Sequence, residues 1–181
     1  MSKLIFSKTG SVKEYKPIYE QNGKWHVCFN YKEQMKEEEP KFNGKRYVKS
    51  GKLVPTGEYS CNYIVFDIKP SVNNIRYELE EIINDQVTNK ITNNFVWNGN
   101  KINLSKENQM NYKSNYDLAV QTSGSNLPYR IKTRKNGNIE YISFFIVQDF
   151  TKFYIDMQKH INNCIEEGWK QKEEIDYSVY K

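Results

Sequence analysis

Alanine, arginine and histidine are all scarce in this sequence, and each shortage removes a class of explanation. Of 181 residues one is Ala (Ala119), four are Arg and two are His. With so few imidazoles, a His-based acid–base or metal centre has almost nothing to build on. Three cysteines, Cys28, Cys61 and Cys164, are an odd number at wide spacings, without the Cys-x-x-Cys of a zinc site. That pattern excludes a secreted disulfide scaffold and fits free, buried thiols in a reducing compartment. No apolar run reaches the roughly 18 residues of a membrane helix, and the opening MSKLIFSKTG lacks the apolar core of a signal peptide. Gly-rich phosphate loops and nucleophile elbows are missing from the sequence as well.

What fills the chain instead is lysine (23), asparagine (21), isoleucine (17) and tyrosine (14). These are the residues of A/T-rich codons, so a low-GC genome explains much of the bias. The net charge of +5 raises nucleic acid as a partner. The shortage of Arg, whose planar fork reads phosphates and bases in bidentate fashion, argues against it. Aromatics at 14% exclude disorder, and a chain of this length buries roughly 70% of its unfolded surface without crosslinks.

Local patterns predict an antiparallel α+β fold. Asn22-Gly23 between Tyr15–Glu20 and Lys24–Tyr31 is a hairpin signal, since both turn residues tolerate positive φ. Residues 32–57, with Glu37-Glu38-Glu39, Pro40, Gly44, Gly51, Pro55 and Gly57, break the alternation and read as a long loop. A small ribbon is expected in it around Arg46–Val48. A strand over 58–68 then completes a three-stranded N-terminal sheet behind a short N-terminal arm. Ser71 is positioned to cap a helix whose Ile75, Leu79, Ile82, Ile83, Val87 and Ile91 share one face, ending near Asn93-Asn94. A second Asn-Gly hairpin is centred on Asn98-Gly99. Ser105 is the expected cap of a second helix containing Met110, Tyr112, Tyr116, Ala119 and Val120. A third hairpin turns at Asn136-Gly137. Asp149 is the expected cap of a third helix carrying Phe150, Phe153, Tyr154, Met157, Ile161 and Ile165 inward, and Gly168 its left-handed C-cap. The division implied is a β-rich region over 1–69 and a helix–hairpin–helix–hairpin–helix domain over 70–181.

Chemistry is thinner. His26-x-Cys28 and His160-x-x-x-Cys164 each share a face but lie far apart in sequence, and structural Cys with incidental His is the simpler reading. Glu78-Leu79-Glu80-Glu81 and Glu166-Glu167 read as solvated helix faces. No cofactor, metal or catalytic set is assigned, and an enzyme is not expected. Two surfaces are candidate protein interfaces. One is the cationic strand Arg130, Lys132 and Arg134, for which a solvated edge is the plain alternative. The other is the set of tyrosines outside the helical stripes, Tyr47 (with Lys49), Tyr59, Tyr112, Tyr177 and Tyr180, because a rigid amphipathic ring gains contact area at low entropic cost.

The segments Phe95-Val-Trp-Asn-Gly-Asn-Lys-Ile-Asn-Leu-Ser-Lys-Glu-Asn-Gln-Met-Asn-Tyr112, Tyr116–Thr122 and Ile161–Lys172 carry a resemblance. Over about 70–177 the chain resembles a domain of unknown function of tailed bacteriophages and prophages, found in tail-fibre, tail-assembly and other virion proteins, crAss-like gut phages included. Residues 1–69 resemble the amino-terminal part of related phage proteins. The chain departs from the pattern at Asn100-Lys101-Ile102, where relatives often carry more apolar residues. The family has no known catalytic residues to transfer. The resemblance implies a virion structural or accessory protein at the capsid, portal–tail junction or fibre base, docked on other phage proteins in a symmetric array. A tail-fibre assembly chaperone and a nucleic-acid-associated phage protein are the alternatives it leaves. Nucleic acid and membrane are not the expected partners.

Overall fold

The computed structural model describes residues 4–181, with three α-helices and ten strands, all strand pairs antiparallel. The α+β class expected from the hairpin signals is therefore observed. The chain divides into two compact units, residues 1–79 with 176–181, and residues 80–175. The division falls inside α1 (Val72–Asn93), which begins in the first unit and ends in the second.

The first unit holds a four-stranded sheet in the order β1-β6-β3-β2, from β1 (Phe6–Ser11), β2 (Ile18–Gln21), β3 (Lys24–Glu37) and β6 (Leu53–Phe66). The expected three strands are present and the N-terminal arm adds a fourth, pairing Phe6 with Tyr63 through Ser11 with Glu58. Its sequence, Phe-Ser-Lys-Thr-Gly-Ser, has little apolar alternation to announce it. Met1–Lys3, part of that arm, lie outside the described residues.

The long loop expected over 32–57 is instead mostly ladder. β3 and β6 continue as a two-stranded ribbon as far as Glu37 opposite Leu53, and β4 (Lys41–Phe42) pairs with β5 (Tyr47–Val48) beyond them. The ribbon is largely exposed on both faces and its few apolar residues do not alternate, so the period-2 hydrophobic signal that marks a half-buried strand is absent. Two irregularities let it leave the sheet. One residue is extra near Asn30, which takes φ +53°, and the pairing slips again between Glu33–Tyr59 and Met35–Pro55, around Gly57.

On one face of this sheet Cys28, Tyr59 and Cys61 are buried together, flanked by Val12, Tyr15, Tyr19 and Tyr63. The C-terminal tail joins the same unit, where the Tyr180 hydroxyl donates to the Cys28 carbonyl over 2.7 Å.

In the second unit a sheet of order β10-β9-β8-β7 has one face against α2 (Lys106–Gln121) and α3 (Val147–Glu173). Its strands are β7 (Phe95–Trp97), β8 (Asn100–Ile102), β9 (Tyr129–Lys135) and β10 (Asn138–Phe144). The three Asn-Gly turns expected to close hairpins are observed, with φ +53° and +71° at Asn22-Gly23, +49° and +76° at Asn98-Gly99, and +50° and +83° at Asn136-Gly137. The core gathers Phe95, Ile102, Leu104, Tyr112, Ala119, Ile131, Phe144, Phe150, Phe153 and Met157. Phe144 stacks on Phe150 at 4.7 Å, and Tyr112 meets Phe153 edge-on at 5.4 Å.

Ser71 and Ser105 both receive the backbone N–H three residues on, from Asn74 at 3.2 Å and Asn108 at 3.3 Å. Two expectations for α3 are corrected. The N-cap is Ile146, with no side-chain cap, and Asp149 sits in the first turn where its charge faces the helix dipole. Gly168 is not a C-cap, because the helix runs on to Glu173. It is buried, and a Cβ there would lie 2.5 Å from Val87 Cγ2 on α1, so the glycine permits close helix–helix approach. In α2, Met110 and Val120 face outward, leaving Tyr112 and Ala119 as the buried pair.

Candidate functional site

The candidate interface residues separate into three environments. Tyr47 and Lys49 belong to the ribbon arm of the first unit. Tyr47 is 74% exposed and its ring lies 5.4 Å from that of Phe42 across the β4–β5 pair. Lys49 pairs with Glu37 at 3.7 Å, and Lys41 with Glu38 at 2.9 Å. Glu38 also accepts from the Ser50 hydroxyl, and Lys41 first, then Ser50, hold its carboxyl below the usual range. These polar contacts close the tip locally. Met35, Phe42, Val48 and Leu53 are exposed on the same arm, and no periodicity in the sequence ties them to one surface.

Tyr59, Tyr112 and Tyr180 are not surface residues, Tyr112 being part of the second unit's core. Tyr59 is 2% exposed and Tyr180 7%, both built into the Cys28 cluster of the first unit. Nothing in the sequence marks Tyr59 as core, because it follows Gly57, where the ladder slips and the alternation restarts. Tyr177 is half-buried, with the Arg76 guanidinium 4.6 Å from its ring centre. Burial, followed by the charge of the neighbouring thiol and tyrosines, pushes the Tyr15 and Tyr180 hydroxyls up. Burial and then the Cys61 thiol push Cys28 up to about 12. Such a thiol stays protonated and unreactive at neutral pH.

Arg130, Lys132 and Arg134 do come together, on the outward face of the second unit's sheet. Around the Asn136-Gly137 turn Arg134 pairs with Ile139, Lys132 with Tyr141 and Arg130 with Ser143. The intervening Ile131 and Thr133 point inward and are buried. Lys101 of β8 lies beside Arg134, and Val96 of β7 beside Lys101. The outward face thus carries four cations with exposed Val96, Ile139 and Tyr141, and no residue of these pairs is acidic. Arg130 stacks on Tyr141, its guanidinium carbon 4.1 Å from the ring centre.

The Asn100-Lys101-Ile102 departure fits this arrangement. Ile102 enters the core, Lys101 joins the cations, and buried Asn100 accepts from the Thr133 hydroxyl at 3.3 Å while its amide donates to the Asn98 carbonyl at 3.1 Å.

Strands β8 and β9 share only the Lys101–Arg134 pair before they diverge. The gap opens into a cavity of about 660 Å³. Its walls include Arg130, Lys132 and Arg134 on one side and Asn103, Asn108 and Asn111 on the other, above Tyr112 and Tyr129. Asn103 donates to Asn93 over 3.4 Å and accepts from Asn108 over 3.3 Å, so these amides orient one another. Burial pushes the Tyr112 hydroxyl up to about 12.

The His–Cys pairs do not assemble. His26 stacks on Tyr19 at 4.9 Å, while His160 Nε2 lies 3.3 Å from the Lys90 carbonyl and 3.8 Å from Cys164 Sγ. Among the described residues no three His, Cys, Asp or Glu side chains are grouped to hold a metal ion. No described helix is long and apolar enough to cross a membrane. No protein family, curated protein or solved structure matches the chain in comparison with known proteins.

Proposed function

We propose that this chain is a docking protein of a tailed bacteriophage particle, a structural or accessory component held by protein–protein contact in a symmetric assembly. The observation that supports this most is the ribbon arm. A two-stranded ribbon exposed on both faces has no core of its own, and here it presents Met35, Phe42, Tyr47, Val48 and Leu53 to solvent. That apolar surface is left in water by the isolated chain, and a partner that covers it gains the free energy of its burial. Tyr47 and Phe42 are the anchor types expected at the centre of such a contact.

The phage assignment rests on the sequence resemblance over about 70–177, and the docking assignment on the arm. Copies fixed in a symmetric array would each need only modest contacts, because the array supplies effective concentration. Mass spectrometry of purified particles from the phage that encodes the chain tests the reading. The chain is expected in the particle at fixed stoichiometry, and is expected to be lost from it by Phe42→Ser with Tyr47→Ser while the variant stays folded in lysate. Presence of the unaltered chain in lysate alone rejects a virion component.

A further inference from the structure

We infer that the outward face of the β7–β10 sheet, together with the cavity where β8 and β9 diverge, is a seat for single-stranded nucleic acid. This goes beyond the docking reading and lies on the unit that does not carry the arm, so either can fail without the other.

The cations form a track. Arg130, Lys132 and Arg134 project from alternate positions of one strand, a step of roughly 7 Å, with Lys101 beside the last of them. A repeating anion is the ligand such a track fits, and no carboxylate stands among the outward-facing pairs, since Glu140 lies opposite the inward-pointing Thr133. Tyr141, 53% exposed, lies within the track with Arg130 already stacked on it. A guanidinium–ring stack is a flat platform, and unpaired bases stack on such platforms whatever their identity.

Two features favour a nucleic acid strand over an acidic peptide. First, the cavity that shares Arg130, Lys132 and Arg134 with the face is walled by asparagines. A carboxylate can only accept hydrogen bonds, whereas an amide offers a donor and an acceptor together, which is the pattern of a base edge. Second, the volume of about 660 Å³ is the size of a pocket for a small ring system rather than for a thin peptide carboxylate. A duplex is disfavoured, because its bases are paired and stacked on one another and none is free to lie on the Tyr141 platform or enter the cavity. The scarcity of arginine weighs against bidentate reading of phosphates and bases, but it leaves contact by lysine, which binds a phosphate as a point charge. Two of the chain's four arginines stand on this one face.

The test is fluorescence anisotropy of the full chain with labelled dT20 and rU20 between 50 and 300 mM salt. Binding is expected at low salt, falling with a log–log slope of about −3 for four phosphate contacts on a single strand. Lys132→Glu with Arg134→Glu should weaken it at least tenfold, and Tyr141→Ala roughly fivefold or more through lost stacking. All three positions are exposed, so an unchanged melting temperature confirms the fold. Tyr47→Ser on the arm should leave affinity unchanged. Absence of binding at 50 mM salt, indifference to the double charge reversal, tighter binding of a 20-base-pair duplex, or displacement by a 20-residue polyglutamate at equal concentration would each overturn the inference, the last in favour of an acidic protein partner.

Discussion

Tyr180 and Gly168 show how much of this molecule turns on single side chains that composition would dismiss as ordinary. The Tyr180 hydroxyl caps the Cys28 carbonyl from 152 residues away in sequence. Removing it in Tyr180→Phe leaves a buried carbonyl short of a donor, and a loss of about 1–2 kcal/mol is expected in urea unfolding. Gly168→Ala discriminates two accounts by sign. Helix propensity alone favours alanine by about 1 kcal/mol. The contact of an added Cβ with Val87 at 2.5 Å instead predicts destabilisation by about 1–3 kcal/mol, since a β-branched neighbour has little rotamer freedom to yield. Adding Val87→Ala should recover part of the loss, and a double-mutant cycle measures how much.

The buried thiol and tyrosines add a pH signature at the same scale. An unfolded thiol loses its proton near ~8.5 and an unfolded tyrosine near ~10. Folded Cys28 and Tyr112 hold theirs to about 12, and burial pushes Tyr15 and Tyr180 up too. The unfolded state therefore gains by deprotonation first. Stability should be fully present below about pH 8 and decline as pH rises beyond 9. Urea midpoints at pH 7, 9 and 10 check this, and a flat profile contradicts it.

Among elements, those with one buried face were legible and those with none were not. α1 was readable from Ser71 to Asn93 because Ile75, Leu79, Ile82 and Ile83 fall on one stripe and are buried. The Asn-Gly turns fixed three hairpins. The last of them carried the site in advance: once Asn136-Gly137 is the turn, Arg134 must face Ile139 and Lys132 must face Tyr141. Lys101 could not be placed that way, because β8 meets β9 at one residue pair across a long sequence gap. β1 and the ribbon arm were hidden for a different reason. Their stability comes from backbone pairing rather than side-chain burial, and pairing leaves no hydrophobic period. That makes the arm separable. Replacing residues 40–50 with a short Gly-Ser turn should leave the thermal midpoint within a few degrees while abolishing incorporation into particles. A large fall in midpoint would mean that the arm is part of the fold and not an appendage to it.

At the scale of the whole molecule, charge and apolar exposure are distributed rather than uniform. The arm displays aromatic and aliphatic side chains with two local ion pairs, Lys41–Glu38 and Lys49–Glu37, and the second unit displays four cations on one sheet face. The division at Leu79 also means that the C-terminal tail, expected with the helical domain, groups with the N-terminal sheet. Composition could not reveal this, because Tyr180 reaches Cys28 only after the intervening chain has folded back. A particle reconstruction that resolves the side chains of the ribbon arm is the most direct test of the docking account. It should place Phe42 and Tyr47 buried against a different polypeptide, repeated by the symmetry of the particle. An arm left in solvent, or a particle without this chain, would contradict it.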